Sequence, residues 1–373
     1  MKRKIWLIPL ALLLVASLVA CAAPAPAPVP APAPVPAPAP VPAPAPVPAP
    51  IVLRGQYIGI PMFEELERFP WGYYEFNGSG RLASDWIERA SNGRLKFDIA
   101  PAESIVPTGD LVPAIEKGTL DFTPCYYGGY ITGIIPEAHI ECGLPFAWEY
   151  PMDNFDALEN WGLQKEFRAV YAEHNIYSVS MIGGDLLQLG TTGICSSLDY
   201  IKGKKIRATG MFGKIVEELG GSAVTLPWSE MYMALKLGTV DGVLCAPSCL
   251  EAIKAKEVLD CWVMAPNMNC PVSSYLFNQD SLNALPDDLK RLITEDLFYV
   301  INNTSMQYYL SCREDAYRAE RDGYIELVEW SAEDSARAKE IGFALWDEVA
   351  EKSPRCARLV EIVRDQMRAL GKM

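Results

Sequence analysis

The sequence predicts an α/β protein of two like-built lobes, with a ligand cleft between the lobes and long helices at the C-terminal end. Three observations predict it. From Ile51 onward, strand-like and helix-like segments alternate, as they do where helices pack on sheets. A short text at 110–121 returns at 230–241. From Pro286 the apolar periodicity is helical and continues almost to the end of the chain.

The elements follow in order. Lys2, Arg3 and Lys4 precede an apolar run over 5–20, which closes on Leu18-Val19-Ala20-Cys21. Residues 1–20 therefore read as a lipoprotein signal peptide, with lipidation at Cys21. The run is short for a helix that needs about 20 apolar residues to span a bilayer, and small residues precede the cysteine. An uncleaved anchor is the alternative; both export the chain and hold it at a membrane. Residues 21–50 alternate Pro and Ala with occasional Val. Proline removes donors and extends its neighbours, so this segment is a polyproline-like tether reaching on the order of 90 Å at ~3.1 Å per residue.

Residues 80–90 have helical spacing at Leu82, Trp86 and Ile87, ended by Asn92-Gly93, and 95–99 alternate as a strand. Then comes Asp110-Leu-Val-Pro-Ala-Ile-Glu-Lys-Gly-Thr-Leu-Asp121, a short helix stopped by Gly118 and followed by a turn into an apolar strand. Glu230-Met-Tyr-Met-Ala-Leu-Lys-Leu-Gly-Thr-Val-Asp241 repeats its alanine, branched apolar residue, Gly-Thr, apolar residue and Asp at the same offsets. The copies are too far apart for a solenoid and point to two similar lobes. Lobe I is expected from 51–180 with about 266–305, and lobe II from 181–265 with about 306–373. Residues 286–318 read as one long or kinked helix opened by Pro286-Asp287-Asp288, and 331–370 as two more.

Composition narrows the function. The formal net charge is −14, and cleavage of the signal removes three cations and no acid. Nucleic acid, which needs a basic surface, is not an expected partner. Roughly 320 residues follow the tether, enough for two α/β cores. Of the 10 cysteines, lipidation of Cys21 leaves an odd number, so at least one thiol stays out of internal pairs. Cys245 and Cys249, with Cys261 and Cys270 beyond, lack zinc-ribbon spacing, and His139 and His174 are far away. No metal and no cofactor are expected; the cysteines read as buried small hydrophobes or as one or two bridges.

Catalytic material is poor. The chain has no Gly-x-Ser-x-Gly elbow, no His-Glu-x-x-His, no Walker loop and no dinucleotide glycine motif. The pairs Glu64-Glu65 and Asp287-Asp288 read as exposed faces or helix starts. No enzyme activity is expected. A binding function finds more. In Lys202-Gly203-Lys204-Lys205-Ile206-Arg207-Ala208-Thr209-Gly210, strand alternation puts Lys205 and Arg207 on one face, with Arg207 at the strand end. A guanidinium matches a carboxylate bidentately, and the pair is strong in a partly dry cleft.

Asp199-Tyr-Ile-Lys-Gly-Lys-Lys-Ile-Arg207, the helix to Leu219-Gly220, and the run from Thr225-Leu-Pro-Trp-Ser through Gly-Thr-Val-Asp-Gly242 carry a resemblance. With Leu144-Pro145-Phe146, the strand ending at Asn278, Leu285-Pro-Asp-Asp-Leu289 and Ser331-Ala-Glu-Asp-Ser-Ala-Arg337, they resemble the substrate-binding proteins of tripartite ATP-independent periplasmic (TRAP) transporters. The resemblance covers nearly all of 55–370. It implies a periplasmic-binding-protein-like fold in which the arginine matching Arg207 clamps the solute carboxylate while two lobes close over it. Gln188 is placed like a polar ligand contact of the 2-oxo acid branch. That branch also has an acidic residue and an aromatic after the Asp-Gly turn, where this chain has Leu244 and Cys245.

The rest of the pocket is read from pseudo-symmetry. Tyr126, Tyr127 and Tyr130 follow the first copy as Cys245 to Ser248 follow the second, which places both segments at the cleft; the alternative is that the tyrosines pack between the lobes. Trp148, Trp228 and Asn267 are further candidates, Asn267 with Gln188 for orientation. Such a pocket suits an organic monocarboxylate, with an apolar or aromatic body. The expected protein is a membrane-tethered, extracytoplasmic receptor, in the periplasm or on the cell surface, that passes an organic acid to TRAP permease subunits. A sensing receptor of the same fold and a surface-anchored hydrolase are the alternatives.

Overall fold

The computed structural model describes residues 49–58, 78–183, 186–226 and 228–373. The signal peptide, Cys21, nearly all of the tether and Glu64-Glu65 lie outside them. The described chain begins with β1 (Ile51–Gln56), α1 (Gly78–Ala90), β2 (Leu95–Ala100), α2 (Leu111–Glu116) and β3 (Phe122–Tyr127). Three helices follow, α3 (Ala138–Glu141), α4 (Pro151–Glu159) and α5 (Leu163–Ala172), and then β4 (Ile176–Met181) and β5 (Gln188–Thr191). The second copy is β6 (Lys205–Arg207), α6 (Gly210–Glu218), β7 (Ser222–Val224), α7 (Met231–Lys236) and β8 (Gly242–Cys245). After α8 (Cys249–Ala252), β9 (Cys261–Ala265) and β10 (Ser273–Asn278) come α9 (Gln279–Asn283) and α10 (Asp287–Arg291). A wider π turn, Leu292–Asp296, joins α10 to α11 (Leu297–Arg321); β11 (Glu326–Glu329), α12 (Ala332–Ala350) and α13 (Pro354–Ala369) complete the chain.

The strands form two sheets, ordered β2-β1-β3-β10-β4 and β11-β9-β5-β8-β6-β7. In the first, β1 runs parallel to β2 and β3, and β10 antiparallel to β3. In the second, β6 runs parallel to β7 and β8, and β5 antiparallel to β8. The core of each sheet is therefore the same unit, strand-helix-strand-helix-strand, with an antiparallel strand added beside its third member.

The repeated text is a device that locks each unit. Gly118 and Gly238 turn the chain at φ +71 and +68, a conformation that costs a residue with a Cβ about 1 kcal/mol. The Thr119 N–H then donates to Ala114 O at 2.8 Å, and Thr239 N–H to Ala234 O at 2.9 Å. Each aspartate ties the turn to the first strand of its unit. Arg54 N–H donates to Asp121 Oδ2 at 2.7 Å and Asp121 N–H returns to Arg54 O at 2.8 Å. Lys205 N–H and Asp241 make the same pair at 2.8 and 2.7 Å.

In the first sheet Phe122 stacks on Phe277 with centroids 5.3 Å apart, and Phe97 meets Phe122 at a tilt, 4.6 Å away. Phe122 leaves no room above β1: a Cβ on Gly55 would lie 2.7 Å from its ring. The C-terminal helices start on caps that the sequence spells out. Ser331 Oγ accepts from Asp334 N–H at 3.0 Å, and Ser353 Oγ from Cys356 N–H at 2.9 Å with Pro354 in the first turn.

The placement of these helices differs from the grouping of 306–373 with lobe II. Helix α12 bridges: Arg337 and Glu348 pair with Asp199 and Lys214 on the second unit, while Lys339 pairs with Glu149 and Trp346 Nε1–H donates to Pro145 O on the first. Helix α13 packs on α3 and α5 of the first unit. Side chains hundreds of residues away hold it there, and local periodicity carries no record of them.

Candidate ligand-binding site

Arg207 ends β6, between β7 and β8, at the carboxyl edge of the parallel strands where crevices of open α/β sheets form. Its side chain is half-buried and held at two points: Nε–H donates to Leu226 O at 3.3 Å and an Nη1–H to Leu244 O at 3.3 Å. Among the described residues no carboxylate lies within ion-pair distance of it. The guanidinium is thus oriented by backbone oxygens and keeps the rest of its donor fork for another acceptor.

The matching position in the first unit is Gln56. Its Nε2–H donates to Val106 O at 2.8 Å, as Arg207 Nε donates to Leu226 O; both carbonyls belong to residues that precede a proline. Gln56 Oε1 then accepts from the Ile105 and Val106 N–H groups at 2.7 and 3.0 Å, closing the amide on its own loop. Only the second unit carries a cation at this point.

Facing Arg207 from the first unit are Tyr127 and Tyr130. Burial raises the pKa of both hydroxyls, and Arg207 partly opposes that rise in each. Both stay protonated and can donate or accept. The Tyr127 and Tyr130 rings meet edge to face at 5.9 Å, and Tyr126 meets Tyr130 at 6.3 Å. Tyr130 is exposed, whereas Tyr126 is fully buried and its hydroxyl has no hydrogen-bond partner. Trp228 packs on the apolar cluster that includes Cys245 and Trp262, with its buried Nε1–H unpartnered. Cys245 closes β8, buried, within electrostatic range of Tyr130.

The structure thus brings Arg207, Tyr127 and Cys245 together with Tyr130, with Tyr126 and Trp228 behind them. It treats three other candidates differently. Trp148 is fully buried, and its Nε1–H donates to Gln366 Oε1 of α13 at 3.0 Å; it is core, which corrects its place in the pocket. Gln188 is 2 % exposed, and its amide donates to Met264 O at 2.9 Å and accepts from Trp262 Nε1–H at 2.7 Å. It braces the sheet beneath Cys245, its register partner. Asn267, after the cis Ala265–Pro266 bond, donates to Glu149 O at 2.8 Å, while its buried Oδ1 has no partner. Cys21 lies outside the described residues. Among those residues no cluster of three His, Cys, Asp or Glu side chains could hold a metal ion.

Sequence reasoning missed Glu141. It is fully buried behind the tyrosines and accepts from Tyr171 Oη and Ser274 Oγ, both at 2.5 Å. Burial pushes its carboxyl up to about 7, against the pull of those two hydrogen bonds. The signal was an acid set between Ile140 and Cys142 in an otherwise apolar stretch.

Two like-built sheets, with an oriented arginine at the edge of one and tyrosines of the other unit facing it, define a two-lobed solute-binding protein. The chain belongs to the DctP family, bacterial extracellular solute-binding protein family 7, whose model matches residues 75–353. This is the TRAP substrate-binding family that the sequence motifs resemble. The chain is 24 % identical over 294 residues to the monocarboxylate 2-oxoacid-binding periplasmic protein of Nostoc sp., covering 74 % of this chain and 76 % of the relative. Its fold matches a TRAP periplasmic solute binding protein of Chromohalobacter salexigens, with bound (S)-(+)-2-amino-1-propanol, at TM-score 0.74 and 21 % identity over 87 % of this chain and 98 % of that one. A Colwellia psychrerythraea protein with bound calcium and pyruvate matches at TM-score 0.73 and 17 % identity, over 86 % and 95 %.

Proposed function

We propose that this protein captures a small organic carboxylate in the cleft and delivers it to a TRAP-type membrane permease, tethered to the membrane through a lipid on Cys21. The observation that carries the reading is Arg207, oriented by Leu226 O and Leu244 O and facing two protonated tyrosines, with no acid of the described chain paired to it. A ligand carboxylate supplies the missing counter-charge. Tyr127 and Tyr130 offer hydroxyls from the other lobe, so one ligand touches both lobes and favours their closure by hinge motion. Trp228 and Cys245 give apolar contact and keep water out. No step alters the ligand, and no cofactor is needed. The monocarboxylate and pyruvate named for two relatives are consistent with a single clamping arginine.

A thermal-shift screen tests this. A ligand that binds only the folded state raises the midpoint, by about 2.7 kcal/mol of stability at roughly 100 times its Kd. One class among 2-oxo acids, C4-dicarboxylates, aromatic carboxylates and sugar acids should shift the wild type, while neutral solutes do not. Arg207→Ala should lose the shift and Arg207→Lys most of it, with unchanged folds. A shift from neutral solutes alone would count against the clamp.

A further inference from the structure

The turn behind Arg207 holds two free thiols, Cys245 at the cleft and Cys249 beneath it. Cys245 ends β8 and Cys249 opens α8, with Ala246-Pro247-Ser248 between them. Cys249 N–H donates to Ala246 O at 3.0 Å, which folds the segment back on itself. The fold-back keeps both cysteines in one buried cluster, where the Cys249 thiol lies within electrostatic range of Cys245, Cys312 and Arg207. Cys249 is fully buried, whereas Cys245 is 4 % exposed and is sensed by Tyr130 on the cleft side. The residue before Cys245 is Leu244, whose carbonyl accepts the Arg207 Nη1–H.

We propose that Cys245 and Cys249 are a redox modification site of the binding cleft, which forms a disulfide by exchange with a small-molecule disulfide and thereby weakens the hold on the ligand. Cys245, on the cleft side, attacks one sulfur of the incoming disulfide as its thiolate, and the other sulfur leaves as a thiolate. Cys249 then attacks the Cys245 sulfur of the mixed disulfide and expels the second thiolate. The protein's two sulfurs are oxidised, the small disulfide is reduced to two thiols, and these take up the two protons that the cysteines release. Two free thiols must close to about 2.05 Å to bond, so the end of β8 has to shift. Leu244 O moves with it, and Arg207 loses one of its two orienting acceptors. An extracellular family works where such disulfides persist.

A second pair of neighbouring thiols serves as the control. Cys195 N–H donates to Cys261 Sγ at 3.3 Å, and neither residue is tied to Arg207 by a hydrogen bond. The affinity claim rests on the Arg207 clamp proposed above; the disulfide claim does not.

The test uses the full chain, exposed to oxidised glutathione, alkylated and digested with trypsin. Cleavage after Lys236 and Lys254 yields one peptide carrying both thiols. It should appear unalkylated and two hydrogens lighter than from reduced protein, and Cys249→Ala should instead trap a glutathione adduct on Cys245. Calorimetric affinity for whichever of pyruvate, malate and benzoate the reduced chain binds should fall at least about tenfold on oxidation and return with dithiothreitol. A Cys195→Ala/Cys261→Ala variant should respond as the wild type does. Two alkylated thiols in the peptide after oxidant would overturn the proposal, as would a disulfide that leaves affinity unchanged. Failure of the reduced chain to bind any of the three acids would count against the clamp and the affinity claim, leaving the peptide mass to decide the disulfide.

Discussion

Arg207 and Gln56 stand at the same point of two copies of one fold unit and spend their side chains differently. Gln56 closes on its loop through three hydrogen bonds, while Arg207 makes two and keeps donors free. Gln56→Ala should therefore lower stability by about 1–3 kcal/mol, because two backbone N–H groups lose their acceptor, and leave ligand affinity in place. Arg207→Ala should do the reverse; denaturant titration beside ligand titration separates the two. Glu141 makes a second prediction at this scale. Its folded pKa, about 7, lies above the ordinary carboxyl value of 4.5. The folded state thus holds the proton more tightly, and the stability this group contributes is complete in acid and lost as pH rises through about 7. Between 4.5 and about 7 on the pH scale the wild type should lose stability relative to Glu141→Gln, a difference that melting curves measure directly. Parallel curves would show that Glu141 is already ionised. What was legible for single residues is what strand position decides, such as the place of Arg207 at the end of β6. The surroundings of Trp148 and Gln188 were not legible, because their partners, Gln366 and Trp262, stand 218 and 74 residues away.

At the scale of elements, the repeat was legible because its turn has strict chemistry. A left-handed glycine, a threonine N–H that reaches back to alanine and an aspartate that binds the neighbouring strand leave little room for substitution. The copies should nevertheless answer differently to the same mutation. Asp121→Ala and Asp241→Ala each remove an exposed hydrogen bond to a strand N–H, at a cost of about 0.5–1.5 kcal/mol in stability. Asp241 holds Lys205, two residues from Arg207, whereas Asp121 holds Arg54, two residues from the closed Gln56. Only Asp241→Ala should weaken ligand binding. Equal losses of affinity in both variants would mean that the strand position of Arg207 does not matter.

At the scale of the molecule, the two sheets are held by helices that belong to neither alone. The sequence announces α12 and α13 through their caps, but their apolar faces do not say which sheet they cover. Gly342 shows how close α12 comes to the first unit: a Cβ there would lie 2.5 Å from the ring of Phe146, whose own φ is +61. In a free helix Gly→Ala gains about 1 kcal/mol. Here overpacking, at about 1–3 kcal/mol, should win. Gly342→Ala should melt below the wild type; a higher midpoint would mean that α12 stands off from Phe146.

The central claim is that one arginine, oriented by two carbonyls, clamps a carboxylate between two lobes. Isothermal titration of the acid that shifts the wild type, against wild type and folded Arg207→Ala, tests it most directly. The account predicts a loss on the order of a hundredfold or more, the cost of about 3 kcal/mol for removing one partner of a desolvated charge pair. Equal affinity in the two proteins would contradict it.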